Sequence, residues 1–163
     1  MKETVVVIAI SVVGLAGLMW WGSSTEQIAA SGAAPQGTLT APEKFYDFGT
    51  ISMKDGDVTK DFTVINSSDK DVFVPTLITS CMCTSAFIVE PDGTVKGPFK
   101  MPGMGYVPRA NETIKAGESR LIRVVYDPNA HGPAGVGPID RIATLTDASG
   151  GTIQFEIKAL VTP

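Results

Sequence analysis

Strong ligand and nucleophile chemistry is scarce here: among 163 residues there are two cysteines and a single histidine. One imidazole would have to serve as base for any serine or cysteine nucleophile, and no nucleophile-elbow glycine pattern surrounds a serine, so hydrolytic catalysis has almost no support and the chain does not read as an enzyme. Clustered lysine and arginine are absent, with thirteen basic residues against seventeen acidic and a net charge of −4. That excludes a nucleic-acid footprint, and no polybasic patch flanks the apolar segment to hold lipid headgroups. The Gly-rich stretch 132–137 lacks the Lys-Ser or Lys-Thr of a phosphate loop and reads as turn material. Beyond the N-terminal segment there is no run of helical period long enough for a helix, and the length suits one domain with an appendage.

From Val5 to Trp21 the chain carries no charge. As a helix rising ~1.5 Å per residue this segment reaches about 25 Å, near the lower limit for a bilayer span. It exceeds the apolar core of an ordinary cleaved signal peptide and ends in Trp20-Trp21, the aromatic pair suited to a membrane interface. Residues 1–22 are therefore expected to be a retained single-pass anchor, with cleavage near Gly22-Ser23-Ser24 or within 29–34 as the competing outcome. No cysteine follows the run to take a lipid, and Lys2 before it places the body of the protein outside the inner membrane, facing the periplasm or exterior. Residues 23–41, rich in Ser, Ala, Gly and Gln, read as a flexible linker.

From residue 42 to 163 short β-branched and aromatic runs alternate with turn chemistry. The runs are Phe45–Ile51, Val58–Ile65, Asp71–Thr79, Ser85–Glu90, Glu118–Tyr126, Ile139–Thr146 and Thr152–Val161. Pro75 inside the third argues for an edge or a bulge, because proline cannot donate to a ladder. About seven strands at this spacing describe an all-β, immunoglobulin-like antiparallel sandwich. Phe48, Phe62, Val64, Leu121, Val125 and Phe155 are expected in its core. Two Gly/Pro-rich loops interrupt the rhythm, 91–110 with Met101 and Met104, and 128–138 with His131. Long loops on a compact domain are usually functional or disordered.

Both cysteines fall within Ser80-Cys81-Met82-Cys83-Thr84. Read as an extended strand, residues i and i+2 share a face with Cα atoms roughly 6.5 to 7 Å apart, so a stapling disulfide is not expected without a kinked backbone. A bridge would close about three residues and add little stability. Cys81 and Cys83 with Met101, Met104 and His131 form the thiolate, thioether and imidazole set that soft Cu(I) prefers, while Met82 points away. Structural zinc wants four Cys or His ligands, and the chain has three. A redox pair fits less directly, since known exchangers place two residues between their cysteines and use a helix N-terminus; inert core thiols in a structural scaffold are the remaining alternative. Asp140 and Arg141 stand near the His131 loop and either orient the imidazole or form a strand-end ion pair. Asn66-Ser67-Ser68 and Asn111-Glu112-Thr113 match the glycosylation sequon but read as turns.

The order Phe45-Tyr46-Asp47-Phe48-Gly49-Thr50-Ile51, Phe62-x-Val64-x-Asn66, Ser80-Cys81-Met82-Cys83-Thr84, Ile114-Lys115-Ala116-Gly117-Glu118-Ser119 and Val124-Val125-Tyr126-Asp127-Pro128 resembles the exported bacterial domain-of-unknown-function family 1573. The resemblance covers roughly residues 42–161 and implies an immunoglobulin-like fold and an exported compartment, with no defined chemistry. Two departures stand out: Met82 replaces the usual glycine between the cysteines, and the loop around Lys100-Met101-Pro102-Gly103-Met104 is long. The expected function is a membrane-tethered binding domain for a soft metal or for another cell-envelope protein.

Overall fold

The computed structural model describes residues 38–103 and 109–163. The expected anchor over 1–22 and most of the linker lie outside the described residues, as does Met104. Among the described residues the elements are eleven strands and two short 3-10 turns, and no helix is long and apolar enough to cross a membrane.

The strands are β1 (Leu39–Thr40), β2 (Phe45–Ser52), β3 (Val58–Asn66), β4 (Val72–Val74), β5 (Thr76–Thr79), β6 (Thr84–Val89), β7 (Val95–Phe99), β8 (Glu112–Ile114), β9 (Ser119–Tyr126), β10 (Gly137–Thr146) and β11 (Thr152–Thr162). They form an immunoglobulin-like sandwich. One sheet runs β1-β3-β9-β6-β7 and the other β2-β11-β10-β5, with β4 and β8 as a separate pair. All pairings are antiparallel except β2 with β11. β1 lies inside the stretch read as linker, where its two residues pair with Ile65 and Asn66.

Period-two alternation makes each sheet apolar on one face, and the two apolar faces meet. Phe62 and Val64 of β3 and Ile122, Val124 and Tyr126 of β9 face Phe155 and Ile157 of β11 and Leu145 of β10, all essentially inaccessible to water. Phe62 stacks on Phe155 across the interface, with ring centroids 4.9 Å apart. Burying each such side chain contributes roughly 1.5–3 kcal/mol, so this layer is the main source of stability.

The core differs from expectation on β9. Leu121 is 37% exposed and Val125 half-buried, because the opposite face of that strand, Ile122-Val124-Tyr126, is the one turned inward. Arg123 decides it. It shares the Leu121 face and reaches outward to Asp61, donating from Nε to Oδ1 at 2.8 Å. Phe48 is half-buried on β2, at the edge of its sheet. Pro75 sits at an edge, as expected, without a bulge: it breaks the run into two short strands, β4 paired with β8 and β5 at the edge of its sheet beside β10.

Three further polar residues are buried with partners. Asn66 donates its amide to the carbonyls of Lys70 and Ile114 at 2.7 and 2.9 Å and accepts from the Ser68 amide and hydroxyl, so it ties two turns together rather than standing out as a sequon. Glu112 and Arg120 meet through Nε and Oε1 at 2.8 Å. No buried side-chain nitrogen or oxygen among the described residues lacks a hydrogen-bond partner.

Candidate functional site at one end of the sandwich

Two connections that cross between the sheets come together at one end. The first, 80–83, carries the chain from β5 in the four-stranded sheet to β6 in the five-stranded one; the second, 127–136, carries it back from β9 to β10. β6 and β9 are antiparallel neighbours in which Thr84 faces Tyr126, so the start of one connection lies beside the end of the other. The Asp127 amide donates to the Cys83 carbonyl at 2.9 Å, and Ser80 exchanges two 2.9 Å hydrogen bonds with the Ile142 backbone.

The cysteine segment is therefore a turn and not an extended strand, which corrects the expectation drawn from its spacing. The Thr84 amide donates back to the Cys81 carbonyl at 3.2 Å, and the Thr79 hydroxyl donates to the carbonyls of Cys81 and Thr84 at 3.2 and 3.0 Å. This folding brings the Cα atoms of Cys81 and Cys83 to 5.2 Å, inside the range a disulfide tolerates, and the two sulfurs are joined. Met82, at the tip, is 44% exposed.

The second connection supplies the imidazole. An Asx turn, with the Asp127 carboxylate accepting the Asn129 amide at 2.7 Å, starts the loop, and a 3-10 turn over Gly132–Gly135 follows His131. The loop packs closely at Gly135, where a Cβ would stand 3.4 Å from the His131 Cβ and 3.3 Å from the Pro128 carbonyl. Asn129 anchors the loop through its amide to the Met53 carbonyl at 2.8 Å. The result places His131 Nε2 3.3 Å from Cys81 Sγ.

Cys81, Cys83 and His131 each offer one donor atom, and those atoms lie within 4.8 Å of one another. The sequence named all three. Met101 follows Lys100, whose carbonyl accepts the Thr79 amide at 3.5 Å, so the loop passes the start of the cysteine turn there; its side chain is half-buried.

Arg141 was the residue whose role sequence reasoning missed. Its Nε donates to Cys83 Sγ at 3.1 Å while its Nη1 donates to the Asp140 carbonyl at 2.8 Å, fixing the plane of the guanidinium. Asp140 turns its carboxylate to Lys158 at 3.4 Å, so neither member of the pair orients the imidazole. The two sulfurs also differ in exposure: Cys81 is half-buried, Cys83 is 2% exposed and has the Thr84 hydroxyl 3.7 Å away. Tyr126, at the end of β9, is buried, and that burial pushes its phenol above its ordinary value.

No protein-family profile matches the sequence, and no curated protein matches it. Among solved structures, the chain is similar to a Porphyromonas gingivalis protein of unknown function at 15% identity and a TM-score of 0.54, covering 82% of this chain and 51% of that one. It is also similar to a family 123 glycoside hydrolase from Clostridium perfringens at 10% identity and a TM-score of 0.52, over 73% of this chain and 23% of that one. A PapD-like domain of human CEP192 matches at 12% identity and a TM-score of 0.49, over 78% and 87% of the two chains. The chain spans about half the length of the Porphyromonas protein and less of the hydrolase. At these identities the likeness is one of fold.

Proposed function

We propose that this chain is an exported, non-enzymatic binding module that holds one Cu(I) ion between Cys81, Cys83 and His131 when the two cysteines are reduced, and that its N-terminal segment tethers it to the inner membrane. The observation that carries the reading is the convergence of two cysteine sulfurs and an imidazole nitrogen within 4.8 Å. Two thiolates and one imidazole suit a soft monovalent ion, and three ligands from Cys and His fall one short of a structural zinc site. Arg141 supports it through charge: two thiolates and Cu(I) sum to −1, and the guanidinium that donates to Cys83 offsets that charge in a half-buried place. Binding belongs to the dithiol state, because sulfurs joined to each other have no thiolate to offer. The resemblance to family 1573 supports an exported compartment, and the sandwich itself is a fold widely used for binding.

The test is a titration of the reduced chain with Cu(I) against a competing chelator, without oxygen. One equivalent should bind, and at a hundredfold excess over Kd the melting transition should rise by the equivalent of about 2.7 kcal/mol, since only the folded state offers the site. The Cys81→Ser, Cys83→Ser double variant should lose both effects and His131→Gln should weaken binding, while Met101→Leu should weaken it only if that loop brings its thioether to the sulfurs. Retention of the chain in membranes after a high-salt wash tests the tether in the same preparation. Failure of the reduced chain to take Cu(I) from a weak chelator removes the metal reading.

A further inference from the structure

The two sulfurs of the cysteine turn are unequal in a way that metal binding does not require. Cys81 is half-buried beside the exposed His131, whereas Cys83 is closed off from solvent and accepts the Arg141 Nε at 3.1 Å. A disulfide opens when a thiolate attacks one sulfur and expels the other as an anion, so access selects the sulfur that is attacked and a neighbouring positive charge favours the one that leaves. Access here points to Cys81. Charge points to Cys83. The two requirements fall on opposite sulfurs of one bridge.

We propose that Cys81 and Cys83 form a thiol–disulfide exchange centre that oxidises a dithiol outside the cytoplasm, with Cys81 as the attacked sulfur and Cys83 as the leaving group held by Arg141. This reading stands apart from metal binding and does not rest on it. In the first step a substrate thiolate bonds to Cys81 Sγ, the Cys81–Cys83 bond breaks, and its electron pair stays on the Cys83 sulfur beside the guanidinium. In the second step the substrate's other thiolate attacks the substrate sulfur of the mixed disulfide; the substrate disulfide forms and the Cys81 sulfur departs with the electron pair. Two electrons have passed from the dithiol to the protein, and the two protons released by the substrate thiols return to the cysteine sulfurs or to water.

The surroundings suit opening of the bridge without loss of the fold. The bridge spans only three residues, so opening it frees little of the chain, and the turn keeps its shape through the Thr79 hydroxyl, the Asp127 amide and the Ser80–Ile142 hydrogen bonds. Arg141 takes the place that a helix N-terminus holds in other exchange centres, and its contact with the Asp140 carbonyl keeps it aimed.

The experiment treats the oxidised full-length chain, free of metal and in the presence of a chelator, with reduced glutathione or with a two-cysteine peptide, quenches with acid, and assigns the adduct by fragment-ion mass spectrometry. Glutathione should be found on Cys81 in about tenfold excess over Cys83, and the two-cysteine peptide should leave with its own disulfide formed and the protein reduced. Arg141→Gln should slow opening about tenfold and shift the equilibrium in a glutathione buffer toward the disulfide by a similar factor, the worth of one charge-assisted hydrogen bond. Arg141→Lys should recover part of both. An adduct on Cys83 or spread evenly, a bridge that resists glutathione until the fold is melted, or an Arg141→Gln variant with the wild-type rate would each overturn the proposal. If Arg141→Gln does not fold, the wild-type adduct assignment decides the question alone.

Discussion

Replacing Glu112 by glutamine should destabilise the domain by about 3 kcal/mol, more than any polar substitution on its surface. Glu112 is 2% exposed, and its two carboxylate oxygens are each taken by a cation: Oε1 by Arg120 Nε at 2.8 Å and Oε2 by Lys96 Nζ at 2.5 Å. Glutamine keeps the volume and one acceptor, so the change is almost purely one of charge. Lys96 can turn its ammonium to water or to Glu90 at 2.7 Å, but Arg120, 6% exposed, cannot. Burial alone would lower the Arg120 pKa; the carboxylates of Glu112 and Glu118 outweigh that and push it up. Removing one partner of a buried pair costs roughly 3–5 kcal/mol, and the lower end applies because Glu118 at 3.0 Å and the carbonyls of Ser119 and Thr113 still receive the guanidinium. For a domain of this size that is a fall in melting temperature of about 10 °C. Urea and thermal unfolding of Glu112→Gln beside wild type measure it. A second variant, Glu112→Met with Arg120→Leu, removes both charges and should recover most of the loss, since an apolar pair costs no desolvation. A Glu112→Gln penalty under about 1 kcal/mol would show that the pair is hydrated, and the electrostatic argument would fail.

Two other substitutions separate the faces and charges of the five-stranded sheet. Phe62→Ala, which empties one side of the stack on Phe155, should cost about 3–5 kcal/mol, whereas Leu121→Ala on the outward face should cost less than about 1; equal losses in urea unfolding would mean that the inward face of β9 is misassigned. Asp61 is held below its ordinary value of 3.8 chiefly by the hydrogen bond from Arg123, so the stability it adds is fully present above that value and is lost as pH falls through the lowered one. Asp61→Asn should accordingly flatten the acid limb of a plot of urea midpoint against pH, by a small amount because the pair is about a third exposed and screened by solvent; an acid limb of unchanged slope would refute the assignment.

The alternation along the chain was enough to read the sandwich, since a residue's face in a strand follows from its neighbours two positions away. It was not enough to choose the inward face of β9. Both faces carry an arginine, Arg123 on one and Arg120 on the other, and only the long-range meeting of Arg120 with Glu112 allows the second to be buried. Besides the two-residue β1 in the stretch read as linker, two strands went unread, Val95–Phe99 and Glu112–Ile114, which contain Gly97, Pro98 or a charged residue where the local pattern asks for an apolar one. Their strand character comes from pairing with Ala86–Val89 and Val72–Val74, which no local window records.

For the site, residue type was legible and backbone shape was not. Two thiols one residue apart and a lone imidazole fifty residues on name a soft donor set, but spacing alone gave the thiols an extended strand. The turn is set by the flanking hydroxyls: Thr79 folds its side chain onto the carbonyls of Cys81 and Thr84, a competition with the ladder that Ser and Thr conduct at strand ends. The Ser80-Cys81-Met82-Cys83-Thr84 segment thus carried its turn signal in the residues around the cysteines. Arg141 had no such local sign. It reaches Cys83 because β10 pairs with β5 in a register that sets Ala143 against Thr79, so the chain two residues before Ala143 overhangs the cysteine turn. A one-residue slip in that pairing would turn Arg141 to the other face of the sheet and leave Cys83 without its only positive neighbour among the described contacts. The electrostatics of the sulfur pair therefore depend on the register of two strands as much as on the identity of the cysteines.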